Sequence, residues 1–168
     1  YKKEHAGLSI NHDITKRKYA EDALRSIATQ FSAITGFDFI EKVCKHITQT
    51  LNIEYAFAGI LSSNKEKVIV KAGIGIGKPI KQFEYLLKDT PCKNVIEKSA
   101  CYYPTDVQKS FPEDFLLKEM NIDSYMGIPL FNSSGDPIGI MVLLDSKPMD
   151  NEEVASSLLQ IFSDRIAA

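Results

Sequence analysis

The 168-residue sequence has no tryptophan, only three cysteines and three histidines, and no surplus of basic charge. Cys44, Cys92 and Cys101 are odd in number and contain no CxxC pair, which excludes a secreted disulfide framework and fits a reducing, cytoplasmic setting. Cys44 and His46 lie two apart on a helical stretch and so on opposed faces. Structural zinc needs four convergent N/S ligands, and no such set is present, so no metal site is expected. Lys and Arg total 20 against 22 Asp and Glu, a net charge of -2, which argues against a nucleic-acid partner and against electrostatic hold on a membrane. No apolar run reaches the ~18 residues of a membrane span, and direct membrane contact is not expected.

Several catalytic and phosphate-binding patterns are also missing. There is no G-x-S-x-G elbow and no H-E-x-x-H pair. His5 and His12 fall in an N-terminal stretch, and His46 reads as a surface helix residue. Gly73-Ile74-Gly75-Ile76-Gly77-Lys78 suggests a phosphate loop, but the P-loop's first Gly and its closing Ser/Thr fall on Ala72 and Pro79, and a dinucleotide fingerprint would need Gly where Ile80 stands. The stretch therefore reads as a turn.

What is present is an ordered alternation of patterns. The chain begins at Tyr1 and ends within a helical run, and is expected to be a piece of a longer protein. Ala6–Ile14 alternates weakly, as a lone strand would. Ala20, Leu24, Ile27, Phe31 and Ile34 then recur at spacings of 4, 3, 4 and 3, an a/d seam that predicts a helix pairing with a second copy. A second amphipathic helix runs from Phe37 to Leu51, with Phe39, Ile40, Val43, Ile47 and Leu51 on one face. Glu54–Ser62 and Lys67–Ala72 form a strand hairpin. Tyr55, Phe57 and Gly59 share one face of the first strand; Ala56, Ala58 and Ile60 share the other, which is assigned to the helices. Residues 73–123 are irregular, with short helices at Pro91–Lys98 and Pro112–Met120 and a short strand at Ala100–Tyr103. Thr90 and Pro91 mark the start of the first helix. Ser124–Phe131 and Pro137–Leu144 form a second hairpin, its second strand apolar enough to be central. A closing helix follows Asn151, with Val154, Leu158, Ile161 and Phe162 inward. The sum is an α+β fold with an antiparallel sheet of five to six strands, and long N-terminal and C-terminal helices on one face.

The irregular segment carries Phe83, Tyr85, Tyr102, Tyr103, Phe111 and Phe115. A long connection of this kind over a sheet either forms a ligand lid or simply fills the core. If a ligand binds, it is expected between the sheet and residues 73–123, against Phe57, Cys92, Tyr102, Phe111 and Met126.

Six pieces of the chain together resemble the GAF domain of prokaryotic sensory proteins. They are Thr90-Pro91-Cys92, Tyr103-Pro104, Phe111-Pro112-Glu113-Asp114, Ser124-Tyr125-Met126-Gly127-Ile128-Pro129-Leu130, Gly135-Asp136-Pro137-Ile138-Gly139 and Leu144-Asp145-Ser146-Lys147-Pro148-Met149. The run Gly7-Leu8-Ser9-Ile10-Asn11-His12-Asp13-Ile14-Thr15-Lys16-Arg17-Lys18, followed by Ala20-Glu21-Asp22-Ala23-Leu24, resembles the tail of a PAS domain and its exit helix. The resemblance implies a PAS tail over 1–15, a linker helix over 16–35 and a GAF domain over 36–168. It implies a sensory module inside a signalling protein, most often a histidine kinase of a two-component system and less often a diguanylate cyclase, homodimeric through its terminal helices. Cyclic-nucleotide relatives carry an Asn-Lys…Phe…Asp-Glu set, where this chain has Ser146-Lys147…Met149…Glu152-Glu153. Bilin-binding relatives use a Cys-His context, where this chain has Cys92-Lys93 and Cys101-Tyr102. Neither cofactor is expected. Relatives that reduce free methionine sulfoxide need a thiol beyond residue 101, where this chain has none; a reductase acting through Cys92 is the distant enzyme alternative, and a dimerisation and relay module with no ligand is the other.

Overall fold

The computed structural model describes residues 36–167 continuously, together with Lys18, Glu21, Asp22, Arg25, Ser26 and Thr29. The chain divides into two units, Tyr1–Ile34 and Thr35–Ala168. In the first, the six described residues are helical and exposed, and the Thr29 hydroxyl donates to the Arg25 carbonyl at 2.7 Å. The seam positions Ala20, Leu24, Ile27, Phe31 and Ile34, and the stretch 1–15, lie outside the described residues.

The second unit opens with helix α1 (Phe37–Leu51), which buries Phe39, Val43 and Ile47 with Cys44 and Thr48. It ends at Asn52, whose left-handed backbone turns its N–H back to the Thr48 carbonyl. Strands β1 (Tyr55–Leu61) and β2 (Lys67–Gly75) follow as the expected hairpin. Two short strands, β3 (Lys78–Pro79) and β4 (Phe83–Leu86), pair with successive stretches of the free edge of β2. Neither was legible in the sequence, because each is too short to show a period. The covering segment holds α2 (Pro91–Glu97), β5 (Cys101–Tyr103), α3 (Val107–Ser110) and α4 (Phe115–Glu119). Strands β6 (Ser124–Phe131) and β7 (Pro137–Asp145) form the second hairpin, and α5 (Glu152–Ile166) closes the unit.

The sheet runs β3-β2-β1-β7-β6-β5, with β4 also on β2, and all these pairings are antiparallel. It has seven strands, not five to six. β7 lies between β1 and β6 with Gly139–Asp145 buried on both faces, which is why its sequence is a continuous apolar run rather than an alternation.

Register divides the residues between the two faces. On one face, Tyr55, Leu144, Tyr125 and Tyr103 form a cross-strand row, and Phe57, Val142, Gly127 and Cys101 form the next. A bulge between Ala58 and Gly59 makes Lys71 the unpaired residue of β2, so that Val70 and Val68 return to this face. These side chains pack with Phe83, Tyr85, Leu87, Cys92, Val95, Val107, Leu117 and Ile122 of the covering segment in one apolar cluster. On the other face, Ala56, Leu143, Met126 and Tyr102 form a row, and Ala58, Met141 and Ile128 the next. Helix α1 packs on β1 and β2, and α5 on β6, with α1 and α5 touching each other. The small residues of β1 thus face the helices and Phe57 faces away from them. In α5 the inward residues are Ala155, Leu158, Leu159 and Phe162; Ile161, expected inward, is partly exposed.

Candidate functional site

The apolar cluster leaves a small cavity between β1, β7 and β6 below and α2, α4 and β4 above. Its volume is about 30 Å³, room for about one water. Four aromatic rings line it: Phe57, Phe83, Tyr85 and Tyr125. Phe57, Phe83 and Tyr85 form a triangle with ring centroids 6.3, 6.4 and 6.0 Å apart, the first two contacts edge-to-face. The remaining wall is Pro91, Leu116, Leu117, Met120, Val142 and Leu144, with Cys92 and Asp114 as its non-aromatic polar groups.

Tyr125 reaches the cavity because Gly127 lets it. Alternation aims both toward the covering segment, and the phenol lies along the strand over the glycine: a Cβ on Gly127 would fall 2.4 Å from the Tyr125 hydroxyl. That hydroxyl donates to Cys92 Sγ at 3.1 Å. The Tyr85 hydroxyl lies 3.1 Å from the same sulfur, placed to donate or accept. Cys92 is held there by the N-terminus of α2, where Pro91 occupies the first turn as expected; Thr90 precedes it, but its hydroxyl donates to the Leu87 carbonyl at 2.6 Å instead of capping the helix. Burial pushes the Cys92 thiol up to about 11, the two phenol hydrogen bonds partly offset this, and the nearby Asp114 carboxylate adds to it. Burial likewise raises both phenols well above their ordinary value, with Cys92 contributing.

Among the described residues Asp114 is the only charged one in the wall. It is 8% exposed, and its Oδ1 accepts from the Leu116 and Leu117 amides at 3.1 and 3.4 Å, capping α4. Burial raises its carboxyl above the usual value, and the two amides partly offset the rise. Among the described residues Oδ2 makes no hydrogen bond. Behind this wall Asp123 ties the covering segment down: its carboxylate accepts from the Thr105 hydroxyl at 2.9 Å and the Asp106 amide at 3.0 Å.

Of the five expected wall residues, Phe57 and Cys92 line the cavity. Phe111 stands at the cluster's margin, edge-to-face on Tyr103 at 5.3 Å. Tyr102 and Met126 do not belong to it. They are cross-strand partners on the helix-facing side, and the Tyr102 hydroxyl donates to the Met149 carbonyl. The correction has one cause: the row that holds Phe57 continues through Val142 to Gly127 and Cys101, so both neighbours were chosen one residue out of phase. Tyr85, Tyr125 and Asp114 were missed. Asp114 had a local signal, an Asp immediately before the apolar Phe115-Leu116-Leu117. Tyr125 had none.

Among the described residues no cluster of His, Cys, Asp and Glu is arranged to hold a metal, and no helix is long and apolar enough to cross a membrane. The family model for the GAF domain matches residues 20–168. No curated protein matches. Among solved structures, the GAF domain of a phosphoenolpyruvate-protein phosphotransferase from Coxiella burnetii is similar at a TM-score of 0.72 and 16% identity, covering 88% of this chain and 90% of that one. The phycocyanobilin-bound GAF domain of a cyanobacterial phytochrome gives 0.64 at 16% identity, over 88% and 91%. A type II free methionine-R-sulfoxide reductase from Thermoplasma acidophilum gives 0.61 at 17% identity, over 78% and 89%. At these identities the likeness is one of fold.

Proposed function

The chain belongs to the GAF domain family, and from that premise we propose that it is a sensory module, without catalytic activity of its own, that takes a small molecule between its sheet and the covering segment. The observation that carries this reading is the aromatic cavity with a buried carboxylate at its wall. A core serving stability alone gains nothing from desolvating Asp114, since a serine or threonine caps a helix as well without a charge. Strand β6 links the cavity to the closing helix: Tyr125 faces the cavity, while Met126 and Ile128 face the side on which α5 packs. Occupancy that moves Tyr125 therefore biases the seating of α5 and, through it, an output domain. We propose a histidine kinase as that output, a PAS domain upstream, and homodimerisation through the terminal helices.

A second reading, a relay module with no ligand, is favoured by the cavity's size, since about 30 Å³ holds no organic molecule without movement of the wall. The reductase reading is disfavoured by the Cys92 thiol, which burial keeps protonated at neutral pH, whereas a nucleophilic cysteine needs its thiolate. Native mass spectrometry of the protein purified from its own host tests the proposal. A dimer carrying a retained small molecule is expected. A chain that carries none, and whose cavity resonances respond to no member of a chemically diverse library, refutes the sensor in favour of the relay.

A further inference from the structure

Resting on the sensor reading, we propose that the ligand is a small organic cation, an ammonium group carried on a short apolar body, seated against the Phe57–Phe83–Tyr85 triangle with its charge on Asp114. Three observations support this assignment. Among the described residues the wall contains one formal charge, and it is negative; no described Lys, Arg or His lines the cavity. An anion would therefore enter an apolar site with no counter-charge and meet a carboxylate. Asp114 is 8% exposed and its Oδ2 makes no hydrogen bond among the described residues, so an ammonium at this wall supplies a donor and the opposite charge, which a neutral apolar molecule does not. The three rings stand 6.0 to 6.4 Å apart with Phe57 edge-to-face on both others, so a cation against the triangle is attracted by the ring faces it meets within ~6 Å of their centroids, not by all three rings at once.

The cavity's outer wall is the element best suited to move. Leu116, Leu117 and Met120 come from α4 and the residue that ends it, a helix of five residues that exposes Phe115 at 73%. Binding is expected to push α4 outward about its capped N-terminus, since Asp114 holds both the helix and the ligand.

The test uses three probes that share a tert-butyl body and differ in charge, on the full 168-residue chain: tert-butylammonium, tert-butanol and the slightly larger pivalate, titrated at pH 7 while the methyl resonances of Leu117, Val142 and Leu144 are followed. The ammonium is expected to shift all three, with an affinity at least about tenfold above that of the alcohol, and pivalate to leave them unmoved. Asp114→Asn keeps the helix cap, because asparagine caps as well as aspartate, and is expected to abolish the preference for the ammonium over the alcohol. Phe83→Leu, which leaves the cap untouched, is expected to reduce it. Equal or tighter binding of tert-butanol or pivalate overturns the cation assignment while leaving the sensor reading standing. So does an Asp114→Asn protein that keeps the preference, and so does silence toward all three probes. The sensor reading itself fails only on the host-purified protein and the diverse library.

Discussion

The Tyr125–Gly127 packing makes a quantitative prediction. In Gly127→Ala the new methyl would lie 2.4 Å from the Tyr125 hydroxyl and 3.0 Å from two ring carbons. The phenol is 1% exposed and bonded to Cys92, and the adjoining cavity of about 30 Å³ is too small to take the displaced ring. Displacing a well-packed ring costs about 1–3 kcal/mol, and losing the bond to the thiol adds about 1 kcal/mol. Removing the glycine's freedom in the unfolded chain returns about 0.5 kcal/mol. The net expectation is a loss of about 1.5–3.5 kcal/mol, read as a lower urea midpoint with unchanged slope. Tyr125→Phe alone should cost about 1 kcal/mol, the hydrogen bond only. In the double variant the nearest clashing atom is gone and only the two 3.0 Å ring contacts remain, so the two costs should fall short of their sum by about 1 kcal/mol or more. Strict additivity would refute the account, since it would mean that the methyl and the hydroxyl do not compete for one space.

Thiol labelling at pH 8 should reach Cys101 first, because it is partly exposed, and reach Cys44 and Cys92 only as the fold opens, since both are buried and burial raises both thiols. Labelling of Cys92 as fast as Cys101 in the native protein would contradict its burial. The pH dependence of stability should carry a signature of Asp114. Its folded carboxyl titrates above the ordinary 3.8 because of burial, so the fold binds that proton more tightly than the unfolded chain does. The stability this contributes is fully present below the unfolded value and is lost as pH rises through the folded one. Asp114→Asn should therefore gain stability relative to the parent between pH 4 and pH 7, measured as urea midpoints; a flat difference or a relative loss would contradict the sign.

Much of the scaffold was legible because its signals are local. The two hairpins show as apolar strands separated by Ser63-Asn64-Lys65-Glu66 and Ser133-Ser134-Gly135-Asp136, and turn chemistry needs no distant partner. Thr90-Pro91 marked the start of α2 for the same reason. The division of β1 into an aromatic and a small-residue face follows from the pleat alone, and the structure places Phe57 and Ala56 on those opposite sides. What failed was long-range. α3 is four residues and β3 two, below the length at which any period is visible. In α5, where a helical stripe admits more than one assignment, contact with β6 and α1 rather than spacing decided that Leu159 and not Ile161 faces in.

The sequence by itself determined which elements form and that each strand has two unlike faces, because turn propensity, capping and alternation are properties of neighbouring residues. The site was decided by tertiary structure. Tyr102 and Met126 are partners across the ladder, and so are Cys101 and Gly127; which pair looks into the cavity depends on the register of β5, β6 and β7, a relation between strands that lie apart in the chain. The meeting of Tyr85, Cys92, Asp114 and Tyr125 likewise depends on the covering segment folding back over the sheet. Its cause is the burial of that apolar face, to which contacts from every part of residues 55–144 contribute.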